Sequence, residues 1–115
     1  MAAARARLAE ARDDLAQAHL PGAVSAAYYA MLYAARAALS ERDLYAKTHS
    51  GVWLSFSKTF VVTGDFGKEL ASRATAAQKL RELGDYEARP PSREDAEQLV
   101  ATAGEFVEAV ERMLA

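Results

Sequence analysis

The sequence of 115 residues has no cysteine, only 3 prolines and only 6 glycines. Without cysteine there is no disulfide framework, no thiolate metal site and no cysteine nucleophile. No run of about 18 apolar residues occurs, so no transmembrane helix is expected. The first residues, MAAARARLAEARDD, carry charges from residue 5 onward and hold no apolar stretch. A secretory signal is therefore not expected either, and the simplest expectation is a soluble, cytoplasmic protein without membrane association. Most catalytic templates are missing as well. There is no Gly-rich phosphate loop, no H-E-x-x-H and no G-x-S-x-G. The two histidines, His19 and His49, have no carboxylate pair at helical spacing and no Glu-x-x-His partner. Neither a zinc site nor a di-iron bundle is predicted, and no cofactor is expected.

Alanine is abundant, with 27 residues, and hydrophobic residues make up 51% of the chain. That fraction excludes intrinsic disorder and suffices for one core, so a single domain over 1–115 is expected. Alanine has the strongest helix propensity, which points to an all-α protein. The net charge of −2 argues against a general nucleic-acid coat. Its distribution is uneven. Residues 1–35 hold three Arg and three acids; residues 36–81 hold eight Lys/Arg and four acids; residues 82–115 hold three Arg and nine acids. The middle is basic and the C-terminal part acidic. Two solvated faces of opposite sign would account for this, and so would a basic groove for an anionic ligand.

Breaks at Leu20-Pro21-Gly22, Asp43 to Thr48, Thr63-Gly64-Asp65 and Gly84 to Ser92 divide the chain into five stretches with helical periodicity. The first runs from about Ala3 to His19, with Leu8, Ala11, Leu15 and Ala18 on one face. The second runs from Pro21 to about Glu41. Its apolar stripe is Val24, Ala27, Tyr28, Met31, Ala35, Ala38 and Leu39. A more polar stripe holds Ser25, Tyr29, Tyr33, Arg36 and Ser40, so this helix is expected to sit centrally, with one side in the core and the other on a groove or interface. The third is predicted from His49 to Val62, capped by Thr48 and ended by Gly64, with Val52, Phe56 and Phe60 inward. The fourth is predicted from Phe66 to Leu83, ended by Gly84. Pro90-Pro91 forces an extended link, and Ser92 caps the last helix, with Asp95 three residues on. Short connections make neighbouring helices antiparallel, so the expected architecture is an up-and-down bundle of four to five helices.

Three clusters could carry chemistry. Arg42 to Gly51 gathers Lys47, Thr48, His49 and Ser50 at a helix start, where free amide N–H groups and the helix dipole favour an anion. Lys47 would add charge, Thr48 and Ser50 hydroxyls, and His49 could act as acid or base near neutral pH. A capped helix with His49 bonded across the bundle explains the same residues structurally. The second cluster is Arg81 with Asp85 and Tyr86, either a structural pair holding a tyrosine or a phosphate contact at Arg81. The third is Tyr28-Tyr29, whose side chains point about 100° apart on a helix, so that one can be core and the other face a groove. Trp53 is expected in the core or an interface.

Ala27-Tyr28-Tyr29-Ala30-Met31, then Ala34 to Leu39, Lys47-Thr48-His49-Ser50-Gly51, Phe60-Val61 with Thr63-Gly64, and Arg81 with Asp85-Tyr86 form an ordered set that resembles the HEPN domain (higher eukaryotes and prokaryotes nucleotide-binding) in its small stand-alone prokaryotic branch. The resemblance covers nearly the whole chain. It implies a helical bundle that commonly dimerises, and a minimal nucleotidyltransferase as frequent partner, often in a toxin–antitoxin pair. It also implies that a metal-independent RNase activity is possible, through an Arg-x4–6-His motif completed across a dimer. Arg42 and His49 fit Arg-x6-His. In this branch an Arg is expected just before the Ala-Tyr-Tyr-Ala run and a His shortly after it; here those places hold Ala26 and Tyr33.

Three functional readings follow. The first is a nucleotide- or RNA-binding assembly module that forms a homodimer and pairs with a nucleotidyltransferase-type protein. Lys47, Thr48, Ser50 and Arg81 would hold phosphate, with Tyr29, Tyr33, Arg36, Asp85 and Tyr86 at a groove or interface. The second is an endoribonuclease toxin in which His49 is the acid/base and Arg42 or Lys47 the phosphate group. The third is a structural bundle without a ligand.

Overall fold

The computed structural model describes residues 1–86 and 90–115, with side chains described for 1–82 and 90–115. Five α-helices follow one another: α1 (Ala2–Ala16), α2 (Leu20–Ser40), α3 (His49–Phe56), α4 (Lys68–Tyr86) and α5 (Arg93–Leu114). A five-residue π turn, Ser57–Val61, continues α3. No strand occurs among the described residues. The protein is an all-α bundle.

The register of the bundle can be read from its side chains. Arg5 pairs with Glu111, and Arg12 reaches Gly104, so α1 and α5 run antiparallel. Asp14 lies against Gly22, and Arg7 against Tyr29 and Tyr33, so α1 and α2 are also antiparallel. Alanine sets the spacing. Ala4 and Ala11 on α1, Ala23, Ala26, Ala27, Ala30 and Ala34 on α2, and Ala96 and Ala103 on α5 are all buried. Small side chains let helix axes approach to the short end of the usual 8–10 Å.

The opposite side of the core is aromatic. Phe56 meets Phe66 at 5.0 Å and Phe106 at 5.5 Å between ring centres, and Phe66 meets Phe106 at 4.9 Å. This cluster fills the space that α3, the π turn and α4 would otherwise leave open against α5.

Several boundaries differ from the sequence expectations. The first helix stops at Ala16 rather than His19, because Ala18 turns to φ 61° and leaves the helical region. Ala18 is consequently exposed, not part of the apolar face. The third helix does not continue as α-helix to Val62. After Phe56 the turn widens, and the Val62 amide donates to the Ser57 carbonyl, five residues back, at 2.9 Å. Gly64 then adopts φ 85° and ends the segment. The fourth helix starts at Lys68, with Phe66 buried just ahead of it, and runs through Gly84 to Tyr86 rather than ending at the glycine. An isolated glycine weakens a helix by only about 1 kcal/mol relative to alanine, which neighbouring turns can offset.

Two caps match the sequence expectation. The Thr48 hydroxyl accepts from the Gly51 amide at 2.9 Å, and the Ser92 hydroxyl accepts from the Asp95 amide at 3.0 Å.

Ala18 is a non-glycine residue in left-handed backbone, a cost of about 1–2 kcal/mol. Ala18→Gly is expected to stabilise the fold by about 1 kcal/mol and raise the thermal midpoint by several degrees. Phe106→Ala, in contrast, is expected to cost about 3–5 kcal/mol, because that ring is fully buried. Thermal and urea unfolding of both variants checks the pair.

Candidate functional site

The site forms where the start of α3 meets the middle of α2. Thr48 caps α3, which points its first residue, His49, back onto α2. Tyr28, fully buried on α2, places its hydroxyl 3.1 Å from His49 Nδ1. The Trp53 indole N–H, one turn further along α3, donates to the same hydroxyl at 3.3 Å. One tyrosine oxygen thus ties two side chains of α3 to α2. Tyr29, the next residue, is only half-buried and stands edge-on to both Tyr28 and His49.

Guanidinium groups gather on this aromatic patch from two other helices. Arg81 of α4 lies over the Tyr28 and Tyr29 rings at 5.3 and 5.4 Å. Arg7 of α1 lies over Tyr29 and Tyr33 at 5.3 and 5.9 Å. The same guanidinium pairs with Glu10 at 3.2 Å, and the Tyr33 hydroxyl and Glu10 both favour its charged form. Cations over tyrosine faces contribute about 0.5–1 kcal/mol each at exposed positions, and they are oriented by the contact.

These charges act on His49. Burial, then the charges of Arg36 and Arg81, hold its pKa below the ordinary histidine value, and Glu82 opposes them only partly. Burial also pushes the Tyr28 phenol above its usual range, against the Trp53 hydrogen bond and the charge of Arg81. Near neutral pH the site therefore holds a neutral imidazole and an intact phenol beside a cluster of guanidiniums.

The remaining sequence candidates are dispersed. Arg42 does not approach His49: Asp43 turns to φ 55°, the chain reverses, and the Arg42 guanidinium lies over Phe60 at 5.2 Å. The seven-residue interval between Arg42 and His49 spans a helix end and a turn, so side chains that one helix would align diverge. Lys47 and Ser50 are exposed beside the α3 start, and the Thr48 hydroxyl is taken up by its capping bond. Among the described residues Arg36 and Arg81 are the cations whose charge reaches His49. The side chains of Asp85 and Tyr86 lie outside the described residues. Arg7 was not singled out from the sequence. Its signal was there, because position 7 stands one turn from both Ala4 and Ala11 and so borders the buried stripe of α1.

Elsewhere a cleft of about 510 Å³ opens between α3, the π turn and α4, lined by Trp53, Phe56, Val61, Val62, Lys68 and Ala71 among others. Trp53 borders both places. Among the described residues no three His, Asp or Glu side chains come together as a metal site. None of the described helices is long and apolar enough to cross a membrane.

The sequence profile of the HEPN domain matches residues 1–113. Relatives share about a third of the residues. A UPF0332 protein of Gloeobacter violaceus is 36% identical over 94 residues, covering 80% of this chain and 75% of its own. A UPF0332 protein of Thermotoga maritima is 33% identical over 115 residues, covering 96% and 87%. A Methanocaldococcus jannaschii protein whose name marks it as a candidate toxin is 34% identical over 92 residues, covering 80% and 69%.

The lowered pKa of His49 has a consequence for stability. The unfolded chain binds a proton at about pH 6.5, where the folded chain resists it. The contribution of neutral His49 is complete above that pH and is lost as pH falls toward the folded-state pKa. The urea midpoint is expected to drop as pH is lowered from 7.5 to 5.5, and His49→Gln is expected to flatten that part of the profile. Equal slopes for both proteins would mean that His49 is not the group responsible.

Proposed function

The chain belongs to the HEPN domain family, and from that premise we propose that it is a nucleotide- or RNA-binding assembly module, one half of a toxin–antitoxin type pair. The observation that carries this reading is the gathering of Arg36, Arg81 and Arg7, which also pairs with Glu10, around His49, Tyr28 and Tyr29; among the described residues Glu82 is the carboxylate that acts on His49. A concentration of guanidinium at a half-buried patch suits phosphate, which Arg binds with paired N–H donors. The net charge of the chain is negative, so the attraction is local to this patch rather than spread over the surface. The toxin-like role rests on the family and on the naming of the Methanocaldococcus jannaschii relative. A nucleotidyltransferase-type protein is the partner that the family resemblance implies.

The patch is better suited to holding a phosphate than to cutting RNA through Arg42 and His49. Arg42 is stacked on Phe60. Ala26 and Tyr33 occupy the places of the Arg and His that this branch leads one to expect. Binding of 5′-AMP and of a short single-stranded RNA, followed by fluorescence polarisation, tests the reading. Arg81→Ala is expected to weaken binding by about ten- to a hundredfold, the loss of one charged hydrogen bond of about 1.5–3 kcal/mol. Arg42→Ala is expected to leave it unchanged. Affinity should also fall as salt rises. Absence of binding, or equal effects of the two substitutions, would overturn the proposal. RNA cleavage in EDTA by the wild type, lost in His49→Ala, would establish the nuclease instead.

A homodimer is part of the same proposal. Tyr45 is 80% exposed and Leu54 58% exposed, on the α2–α3 connection and on α3. Large apolar side chains left in water suit a protein partner. Light scattering is expected to report a dimer, and Tyr45→Glu with Leu54→Glu a monomer of unchanged helicity. A wild-type monomer at high concentration would remove the dimer from the proposal.

A further inference from the structure

We infer that Tyr28 and Trp53 are positioning residues that lock His49 as a neutral imidazole with its proton on Nε2, so that His49 serves as a hydrogen-bond donor to the bound anion. The role of the donor rests on the binding function proposed above; the lock itself does not.

The argument is one of donors and acceptors. An indole N–H can only donate, so the Tyr28 oxygen accepts from Trp53. The phenol keeps its own proton, because burial holds its pKa above the usual range. That proton needs an acceptor, since Tyr28 is fully buried and an orphaned hydroxyl proton costs about 1–3 kcal/mol. Among the described residues its hydroxyl contacts are Trp53 and His49. The acceptor is therefore the lone pair of His49 Nδ1, at 3.1 Å. A neutral imidazole that accepts at Nδ1 carries its proton at Nε2. The other tautomer would make the Tyr28 oxygen accept twice and strand its proton. Protonating the ring would do the same.

The surroundings point the same way. From α2 the ring faces Tyr28, Tyr29 and the charge of Arg36; from α4 it faces the charges of Arg81 and Glu82; along α3 it has Trp53, one turn on. Among the described residues the charges of Arg36 and Arg81 disfavour a further positive charge on the ring, and Glu82 offsets them only partly.

This assignment changes what His49 can do. A general base needs a free lone pair directed at the substrate, and the lone pair of His49 is engaged with Tyr28. A neutral N–H gives up its proton too reluctantly for acid catalysis near pH 7. It is, however, a good donor to a phosphate oxygen, and it adds no further charge to the guanidinium cluster.

Nitrogen-15 NMR of the histidine ring in the full-length protein at pH 7.5 tests the lock without any ligand. The wild type is expected to show a single tautomer with the proton on Nε2. Tyr28→Phe is expected to release it, giving a mixture that includes the Nδ1 proton. Trp53→Phe, which leaves both ring partners in place, is expected to give a smaller admixture and provides the comparison if Tyr28→Phe does not fold. A wild-type Nδ1 proton, a wild-type mixture, or full Nε2 protonation retained in both variants would overturn the inference.

The donor role is read separately, with 5′-AMP as probe. His49→Ala is expected to weaken binding by about tenfold, and His49→Gln, whose amide N–H₂ reaches the Nε2 position, to restore most of it. His49→Asn, whose amide reaches only the Nδ1 position, is expected to restore none. Equal affinity of the Ala and Gln variants would overturn the donor role. Absence of AMP binding by the wild type with an intact Nε2 tautomer would overturn the proposed function and leave the lock standing.

Discussion

A single hydroxyl, that of Tyr28, has to be satisfied in the interior of the bundle, and much of the local architecture follows from how that is done. It sits in the middle of α2, fully buried, where water cannot serve it. The start of α3 supplies both partners: an indole N–H that gives and an imidazole nitrogen that receives. For this to happen α3 must begin at a fixed place and with a fixed orientation, which the Thr48 cap provides. The aromatic cluster of Trp53, Phe56, Phe66 and Phe106 then continues from the same helix into the core against α5. Hydrogen-bond satisfaction and apolar packing therefore require the same placement of α3. Agreement between the two is what gives a short helix of eight residues a defined position.

The helices themselves were legible in the sequence, because their apolar spacing is regular. α5 is the clearest case: of its apolar period, Ala96, Leu99, Val100, Ala103, Phe106, Val107 and Val110 are buried, while Met113 and Leu114 at the helix end are only half-buried. Division of labour between Tyr28 and Tyr29 was also readable from the angle between neighbouring helical residues. The ends were less readable. Ala18 in left-handed backbone has no sequence signature, since the residue expected at such a place is glycine. Nor does a π turn announce itself: Ser57 to Val61 continues the apolar pattern while the hydrogen bonds shift by one residue. Gly84 did not end α4, which runs on to Tyr86.

The candidate site was legible in its parts and less so in its pairing. His49, Tyr29, Arg36 and Arg81 could be named from residue type and context. What could not be read was which cation stands near the imidazole. Arg42 is close in sequence and remote in effect, because a left-handed residue and an extended stretch redirect the chain between the two. Arg36 and Arg81 are distant in sequence and act on His49 through the packing of α2 and α4. Arg7 comes from a third helix and depends on how closely α1 lies against α2, a property of the folded alanine interface.

Ala26 limits what this face of α2 can hold. It is 2% exposed, and it shares its face of α2 with Tyr29 and Tyr33, three and seven residues on. Arg7 already lies over those two rings. An arginine at position 26, the residue that the HEPN resemblance leads one to expect there, would have to thread its stem beneath α1 and place a second guanidinium where one is seated. A long side chain at position 26 therefore has room only if α1 or Arg7 gives way, so the contents of this face are set by two helices together.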